Sequence, residues 1–201
     1  MAKFFALPAK DGPMARVTGY EMRMDTGDES LARAAAAGDG RAFAVLLERR
    51  YDGLFGLAFR LTGSRAEAED LTQDICAALP SKIARFDGRA RFTTWLYRVA
   101  VNAAHDRRRR AASHARAAQG WGGWEIARRA ADTETAEQVD WLIAAMAALP
   151  EDLRDTLALV LDDMPHREAA EVLGISEGTV SWRIFEAKKR LKTIRMQEDQ
   201  A

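Results

Sequence analysis

Cysteine is almost absent from this sequence, because Cys76 is the only one among its 201 residues. A single cysteine excludes an internal disulfide and a zinc site built from several thiolates. Apolar runs of membrane-spanning length are also lacking, so we expect no membrane insertion. The amino-terminal segment has neither the apolar core nor the small-residue cleavage site of a secretory signal, which predicts a cytoplasmic protein.

Clusters of metal-binding or catalytic residues are lacking as well. The histidines His105, His114 and His166 are scattered without the spacing of metal ligands. No acid and base residues stand at a spacing that suggests general acid–base chemistry. We therefore expect no metal, no cofactor and no catalytic residue. An enzyme that acts on nucleic acid is the weakest of the functional hypotheses.

Alternating strand patterns of useful length are missing, which predicts an all-α fold. We expect two small helical domains joined by a flexible linker. The predicted boundaries are a disordered leader at 1–29, a first domain at 30–110, a linker at 111–139, a second domain at 140–195 and a tail at 196–201. In the linker, glycines flank Trp121 and Trp124, which could dock on a partner or pack locally.

Two local signals lie in the middle of the first domain. Ser64 and Glu67 have the spacing of a capping box, which predicts the start of a helix at this point. Pro80 lies inside the helical pattern that follows. Proline lacks a backbone N–H and clashes with the preceding turn, so we expect it to kink this helix or to end it early.

The net charge of zero conceals a strong segregation of charge along the chain. Residues 31–110 carry a net charge of +6, and residues 140–201 carry a net charge of −4. Local fields steer a polyanion more than the total charge does. The amino-terminal half is therefore the better candidate for electrostatic attraction to nucleic acid.

The segment Arg91–Arg110 is predicted to be one helix with two different faces. At 100° per residue, one arc is apolar and should be buried: Phe92, Leu96, Val99 and Ala103. A neighbouring arc is polar and mostly basic: Arg91, Arg98, Asn102, His105 and Arg109. Trp95 lies at the seam between them. Such a row can hold phosphates and stack on bases, which predicts nucleic-acid contact, with further phosphate contacts from Arg107–Arg110.

The segment His166–Leu191 has the layout of a helix-turn-helix. Gly174 permits the tight turn and Ser176 can cap the second helix. The small Ala170 should lie where the two helices cross, and Ile175 should plug the turn. The buried stripe of the second helix is predicted to be Val180, Ile184, Ala187 and Leu191. Large aromatics on the opposite face, Trp182 and Phe185, suggest that this face contacts DNA.

In these segments the chain resembles the extracytoplasmic-function (ECF) sigma factors of bacterial RNA polymerase, which belong to the sigma-70 family. The first matching block is AFAVLLERRYDGLFGLAFRLTGSRAEAEDLTQDI, followed by FDGRARFTTWLYRVAVNAAHDRRRR. The carboxy-terminal block is ALPEDLRDTLALVLDDMPHREAAEVLGISEGTVSWRIFEAKKRL. The resemblance implies a region 2 domain that opens the minus-ten element and a region 4 domain that reads the minus-thirty-five element.

The resemblance also implies site residues and partners. The implied minus-ten contacts are Phe86, Arg89, Arg91, Phe92, Trp95, Arg98, Asn102, His105 and Arg109. The implied minus-thirty-five contacts are Ser176, Thr179, Ser181, Trp182, Arg183, Phe185, Glu186 and Lys189. The implied polymerase-docking residues are Glu69, Asp70, Gln73 and Asp74. The implied partners are promoter DNA, the clamp helices and flap of core RNA polymerase, and an anti-sigma factor that makes the protein responsive to a signal.

The sequence departs from the family pattern in the recognition helix. Trp182 replaces a residue that is commonly small, and Glu186 stands where a basic residue is frequent. A carboxylate there repels phosphates but can accept from a cytosine amino group, which predicts an unusual minus-thirty-five sequence. An autonomous helix-turn-helix regulator is the alternative function. Such a protein would bind duplex DNA alone and would not need the aromatic and basic face of the TWLYRVAVN helix.

Overall fold

The structure is a computed structural model that describes residues 27–118, 141–142 and 144–198. The helices with defined bounds are α1 (Asp28–Ala36), α2 (Gly40–Thr62), α3 (Arg65–Ile83), α4 (Phe92–Ala118), α5 (Glu151–Val160), α6 (His166–Leu173) and α7 (Glu177–Glu198). Residues 141–142 and 144–147 are helical too. No strand occurs in these ranges, so the all-α prediction is confirmed. The expectations for the leader up to residue 26, and for Trp121 and Trp124, lie outside the described residues.

Local capping sets the helix boundaries in the amino-terminal bundle of α1–α4. The Asp39 side chain accepts hydrogen bonds from the first backbone N–H groups of α2. Gly63 ends α2 in the left-handed conformation at φ 71°, which glycine adopts without steric cost. The Ser64 side chain then accepts from the Glu67 N–H and starts α3, as its spacing predicts.

Helix α3 continues through Pro80 to Ile83, so the expectation that proline could end this helix early is wrong. Leu79 and Ile83 are both buried in the core of the bundle. Their burial stabilises the last turn against the loss of the single backbone hydrogen bond that proline cannot make.

Helix α4 is buried over a wider arc than the sequence predicts. Phe92 and Leu96 are buried as expected, but Val99 and Ala103 are only partly buried. The additional buried residues are Thr94, Tyr97, Ala100, Val101 and Ala104, on the side of the helix away from Val99. The reason is that α4 packs against α2 and α3 on one side and against α6 on the other.

The carboxy-terminal bundle of α5–α7 contains the predicted helix-turn-helix. Gly174 ends α6 in the left-handed conformation at φ 67°, and the Ser176 side chain accepts from the Thr179 N–H at 3.1 Å. Ala170, Val180, Ile184 and Ala187 are buried, while Ile175 and Leu191 are partly buried against the same core. The predicted turn and buried stripe are therefore confirmed.

The two bundles pack directly against each other, and their buried apolar side chains form one continuous cluster. Helix α2 contacts α5, and α4 contacts α6. The Arg60 guanidinium bridges the bundles by donating to the Ala158 carbonyl at 3.0 Å and to the Asp162 carboxylate at 2.8 Å. This arrangement, called the closed arrangement below, does not follow from the expectation of two domains on a flexible linker.

Candidate nucleic-acid interface

Three aromatic rings at the start of α4 form a compact cluster. The ring centroids of Phe86, Phe92 and Trp95 lie 5.5–5.8 Å apart, within the usual range for aromatic pairs. Phe86 and Phe92 are buried, whereas Trp95 is only partly buried. The two phenylalanines therefore support Trp95 from below. The expected DNA contact of Phe86 and Phe92 does not fit this conformation, because their rings belong to the core.

The basic side chains of α4 predicted to contact DNA are engaged by the carboxy-terminal bundle. Arg91 pairs with the Glu168 carboxylate at 3.1 Å, and Thr94 donates to the same carboxylate at 3.1 Å. Arg98 donates to the Glu171 backbone carbonyl. His105 lies 2.6 Å from the Asp155 carboxylate. The carboxy-terminal bundle thus supplies acceptors to Arg91, Arg98 and His105, although these three side chains remain exposed.

The rest of this face remains open. Asn102 is exposed, and Arg109 is exposed with an ion pair to Asp106 on its own helix at 2.6 Å. Arg89 is exposed in the loop before α4 and pairs with its neighbour Asp87 at 3.2 Å. Together with the partly buried Trp95, these side chains form an open polar strip along α4 and the loop before it.

The run Arg107–Arg110 is divided between two environments. Arg107 pairs with Asp70 at 2.9 Å and with Asp74 at 3.4 Å, and Arg108 pairs with Asp155 at 2.7 Å. Arg109 and Arg110 are exposed. The expectation that all four arginines contact phosphates therefore fits only the last two in this conformation.

Asp155 is the centre of the polar contacts between the bundles. Its side chain is only 3% exposed and accepts from Arg108 and pairs with His105, both on α4. Sequence reasoning missed Asp155, Asp162 and Glu168 as partners of α4. The signal that could have found them is the segregation of charge, because an acidic carboxy-terminal half and a basic amino-terminal half of one chain attract each other.

A second polar contact between the bundles is the hydrogen bond from the Tyr97 hydroxyl to the Asp162 carboxylate. Burial, and to a lesser extent the hydrogen bond and charge of Asp162, raise the pKa of the Tyr97 phenol well above its usual value. Asp162 also accepts from Arg60, so the carboxylate keeps one cationic partner if the phenol is removed.

This raised pKa predicts a loss of stability in strong base. Folding favours the neutral phenol. The contribution of Tyr97 to the free energy of unfolding is therefore fully present below the unfolded pKa of about 10, and it decreases as the pH rises toward the folded pKa. Replacement of Tyr97 by phenylalanine should lower the free energy of unfolding at pH 7 by about 1 kcal/mol and flatten its decline above pH 10. Urea titrations at several pH values measure this. Tyr51→Phe, at an exposed site on α2, is the control, and equal declines in both variants would contradict the prediction.

The predicted polymerase-docking residues lie together on the exposed face of α3. Glu69 pairs with Arg65 on the same helix at 3.1 Å, and Gln73 is exposed. The side chains of Asp70 and Asp74 are 64% and 66% exposed despite their pairs with Arg107. This acidic surface therefore remains open to a basic partner.

The recognition helix α7 divides its side chains between internal contacts and solvent. Arg183 pairs with Asp152 at 3.4 Å, and Glu186 pairs with Arg190 at 2.9 Å. Ser181 contacts His166, and Ser176 contacts Thr179. Trp182, Phe185 and Lys189 point outward. A contact between Glu186 and cytosine stays a prediction, and in the structure this carboxylate pairs with Arg190 of the same helix.

None of the helices in the described ranges combines the length and the apolar character needed to cross a membrane. Within the same residues, no group of three or more His, Cys, Asp or Glu side chains has an arrangement that could hold a metal ion.

Comparison with known proteins accounts for both bundles. Residues 46–114 match Sigma-70 region 2, and residues 140–191 match Sigma-70, region 4. The ECF RNA polymerase sigma factor SigM of Mycobacterium tuberculosis is 35% identical over 178 residues, with 88% of each chain covered. The RNA polymerase sigma-H factor of Pseudomonas aeruginosa is 30% identical over 176 residues, which cover 82% of this chain and 91% of that protein.

Solved structures share the fold. CnrH, in complex with the cytosolic domain of CnrY, matches with a TM-score of 0.65 and 25% identity over 85% of this chain and 97% of that one. The sigma factor RpoE of Bartonella quintana, in complex with the anti-sigma factor NepR, matches with a TM-score of 0.66 over 77% of this chain and 96% of that one. At 22% identity, this second likeness supports the fold alone.

A four-helix bundle with an exposed polar strip, followed by a helix-turn-helix, defines a transcription initiation factor of the sigma-70 type. Within that class, the chain belongs to the ECF sigma factors of RNA polymerase. It directs RNA polymerase in transcription initiation, and the alternative of an autonomous helix-turn-helix regulator is not favoured.

Proposed function

We propose that the two bundles divide promoter recognition between them. The domain at 30–110 engages the minus-ten element, and the domain at 140–195 reads the minus-thirty-five element across the linker at 111–139. The observation that carries this proposal is the pairing, in one chain, of Trp95 on its aromatic support with a helix-turn-helix whose outer face is open.

The open part of the minus-ten face suits a single strand better than an intact duplex. Trp95 offers a partly exposed indole ring for stacking, and Asn102 offers amide groups for hydrogen bonds to a base. Arg89 and Arg109 flank them with exposed positive charge for the phosphates. These four side chains are wholly or partly accessible in the closed arrangement.

Three further basic groups of the minus-ten face are exposed, but each already has a partner on the carboxy-terminal bundle. Arg91, Arg98 and His105 each contact a residue of α5 or α6. A phosphate can replace Glu168 or Asp155 as the partner of these groups because all are anionic acceptors. We therefore propose that promoter binding and opening of the closed arrangement are coupled.

The partners follow from the surfaces that stay exposed. The acidic surface of α3, around Asp70 and Asp74, is proposed to dock on the clamp helices of core polymerase, and the carboxy-terminal bundle on its flap. One structural relative, CnrH, is held in a complex with the cytosolic domain of CnrY. By analogy we propose that an anti-sigma factor binds this chain and releases it in response to a signal. We also propose that the protein is cytoplasmic and that the chain by itself has no enzymatic activity.

Run-off transcription tests the proposed function. The full chain is combined with core RNA polymerase and a library of genomic promoter fragments. We expect initiation at defined start sites that share two conserved elements upstream, and we expect none from core polymerase alone. A variant with Asp70→Ala and Asp74→Ala should lose initiation, whereas Asp163→Asn, an exposed substitution outside the proposed docking surface, should not. Absence of start sites that depend on the chain would overturn the proposal.

A further inference from the structure

The outward face of α7 is unusually apolar for a helix that reads DNA. At 100° per residue, Gly178, Trp182, Phe185 and Lys189 lie within an arc of about 60°, opposite the buried stripe around Val180. Trp182 is 59% exposed and Phe185 is 68% exposed. Rings of this size are costly to leave in water, so the face is suited to contact with an apolar group.

The polar side chains that flank this face are already occupied. Arg183 pairs with Asp152 and is 20% exposed, and Glu186 pairs with Arg190 and is 21% exposed. Ser181 contacts His166, at the start of α6. Arg183 and Glu186 are thus largely buried in contacts within the protein, whereas Ser181 remains exposed. What α7 presents outward is two aromatic rings, the single N–H donor of Trp182, and Lys189.

Duplex DNA offers only one apolar group in the major groove, which is the methyl group on C5 of thymine. The exposed lysines Lys188, Lys189 and Lys192 give this part of α7 the positive charge that the phosphate backbone attracts. Residues three apart on a helix are separated by about 4.5 Å along its axis. This separation is close to the rise of about 3.4 Å between neighbouring base pairs, so the two rings can reach adjacent pairs.

Gly178 leaves room for a close approach at the start of the helix. A Cβ atom at this position would meet only the Ser176 Oγ, at 3.8 Å, so packing does not require glycine there. Glycine is among the least favourable residues inside a helix. The missing side chain opens the first turn of α7 on the same face as Trp182 and Phe185, where base edges would enter.

We infer that Trp182 and Phe185 determine the minus-thirty-five specificity of this chain by packing on thymine methyl groups at neighbouring base pairs. This inference rests on the proposed function, because it assigns the specificity of the same recognition helix. It also differs from recognition by hydrogen bonds: the preferred element must contain thymine, on either strand, at the contacted positions.

Replacement of single thymines by deoxyuridine tests the inference, since it removes the methyl group and keeps every hydrogen-bonding group. The probe is a promoter recovered by the run-off experiment, and each upstream thymine is replaced in turn on both strands. Replacement at one or two adjacent positions should weaken equilibrium binding of the holoenzyme about fourfold. This factor corresponds to the loss of one buried methyl-sized contact. At other positions binding should not change.

Three variants make the test specific. The double variant Trp182→Ala, Phe185→Ala should bind the thymine and deoxyuridine promoters equally, and its exposed positions should leave thermal unfolding unchanged. Met196→Ala removes an exposed apolar side chain, 52% exposed, from the far end of α7 and should retain the fourfold discrimination. Gly178→Leu should weaken binding to both promoters, because it fills the approach to the first turn.

Three results would overturn the inference. The first is wild-type binding that is insensitive to deoxyuridine at every upstream position. The second is an upstream element without thymine on either strand, and the third is unchanged discrimination in the double variant. In each case promoter-specific initiation would still support the proposed function. Failure of the proposed function would appear earlier, as the absence of any initiation that depends on the chain.

Discussion

Replacing Trp95 with alanine is expected to abolish most transcription from a duplex promoter and to leave transcription from a pre-melted promoter nearly intact. Stacking of one base on an aromatic ring contributes about 1–3 kcal/mol, which corresponds to a loss of roughly 5- to 150-fold in open complexes. A promoter that is already single-stranded around the minus-ten element no longer requires this contribution to melting. Run-off assays on matched duplex and pre-melted (bubble) templates measure the ratio of transcription by the variant to transcription by the wild type on each template.

Two control variants separate a role in melting from other effects. Trp95→Phe keeps an aromatic ring on the support formed by Phe86 and Phe92 and should retain most activity. Neutralising the exposed Arg109 and Arg110 should reduce transcription from both templates to the same extent, because phosphate contacts do not depend on prior melting. If the bubble template failed to rescue Trp95→Ala, Trp95 would have a structural role or a role after melting.

Replacing Asp155 with alanine is expected to open the closed arrangement. The substitution leaves the half-buried Arg108 without its short ion pair and also removes the partner of His105. Loss of one member of a buried pair typically costs about 3–5 kcal/mol, and the lower end applies here because Arg108 is 21% exposed. Small-angle scattering should show a larger radius of gyration, and urea unfolding should separate into two transitions.

Glu151→Ala provides the matched control for this experiment. Glu151 pairs with the same arginine at 3.6 Å, but its side chain is 64% exposed. An exposed ion pair contributes about 0–1 kcal/mol, so this variant should keep the compact shape and a single transition. Equal behaviour of the two variants would show that Asp155 does not hold the bundles together. If opening and promoter binding are coupled, Asp155→Ala should also bind a pre-melted minus-ten strand more tightly than wild type.

Most of the local structure follows from the sequence because it depends on near neighbours. Ser64 caps α3 and Gly174 ends α6, both as their spacing predicts. The helix-turn-helix was predictable for the same reason, since a buried stripe around Val180 needs only helical periodicity. Pro80 shows the limit of such reasoning, because burial of the residues beside it outweighs its preference for ending a helix.

The site was harder to predict because its accessibility depends on tertiary contacts. Helical periodicity places Arg98 and Asn102 on one face, but it cannot show that Arg98 donates to a backbone carbonyl of α6. The family resemblance likewise groups Phe86, Phe92 and Trp95 as minus-ten contacts without showing which ring remains at the surface. The partners of Arg98 and Tyr97 lie more than 60 positions away in the sequence. No local sequence pattern can indicate contacts over that separation.

The ion pairs between the bundles restrict how this protein can be recombined with its relatives. Asp155 pairs with His105 and Arg108, and Asp162 contacts Arg60 and Tyr97. Each bundle therefore contributes one partner to every one of these contacts. A chimera that takes its carboxy-terminal bundle from another sigma factor would place unmatched groups opposite these arginines. The contacting residues of the two bundles are therefore constrained to evolve together. A hybrid regulator built from this chain needs the partner residues of both bundles to be transferred at the same time.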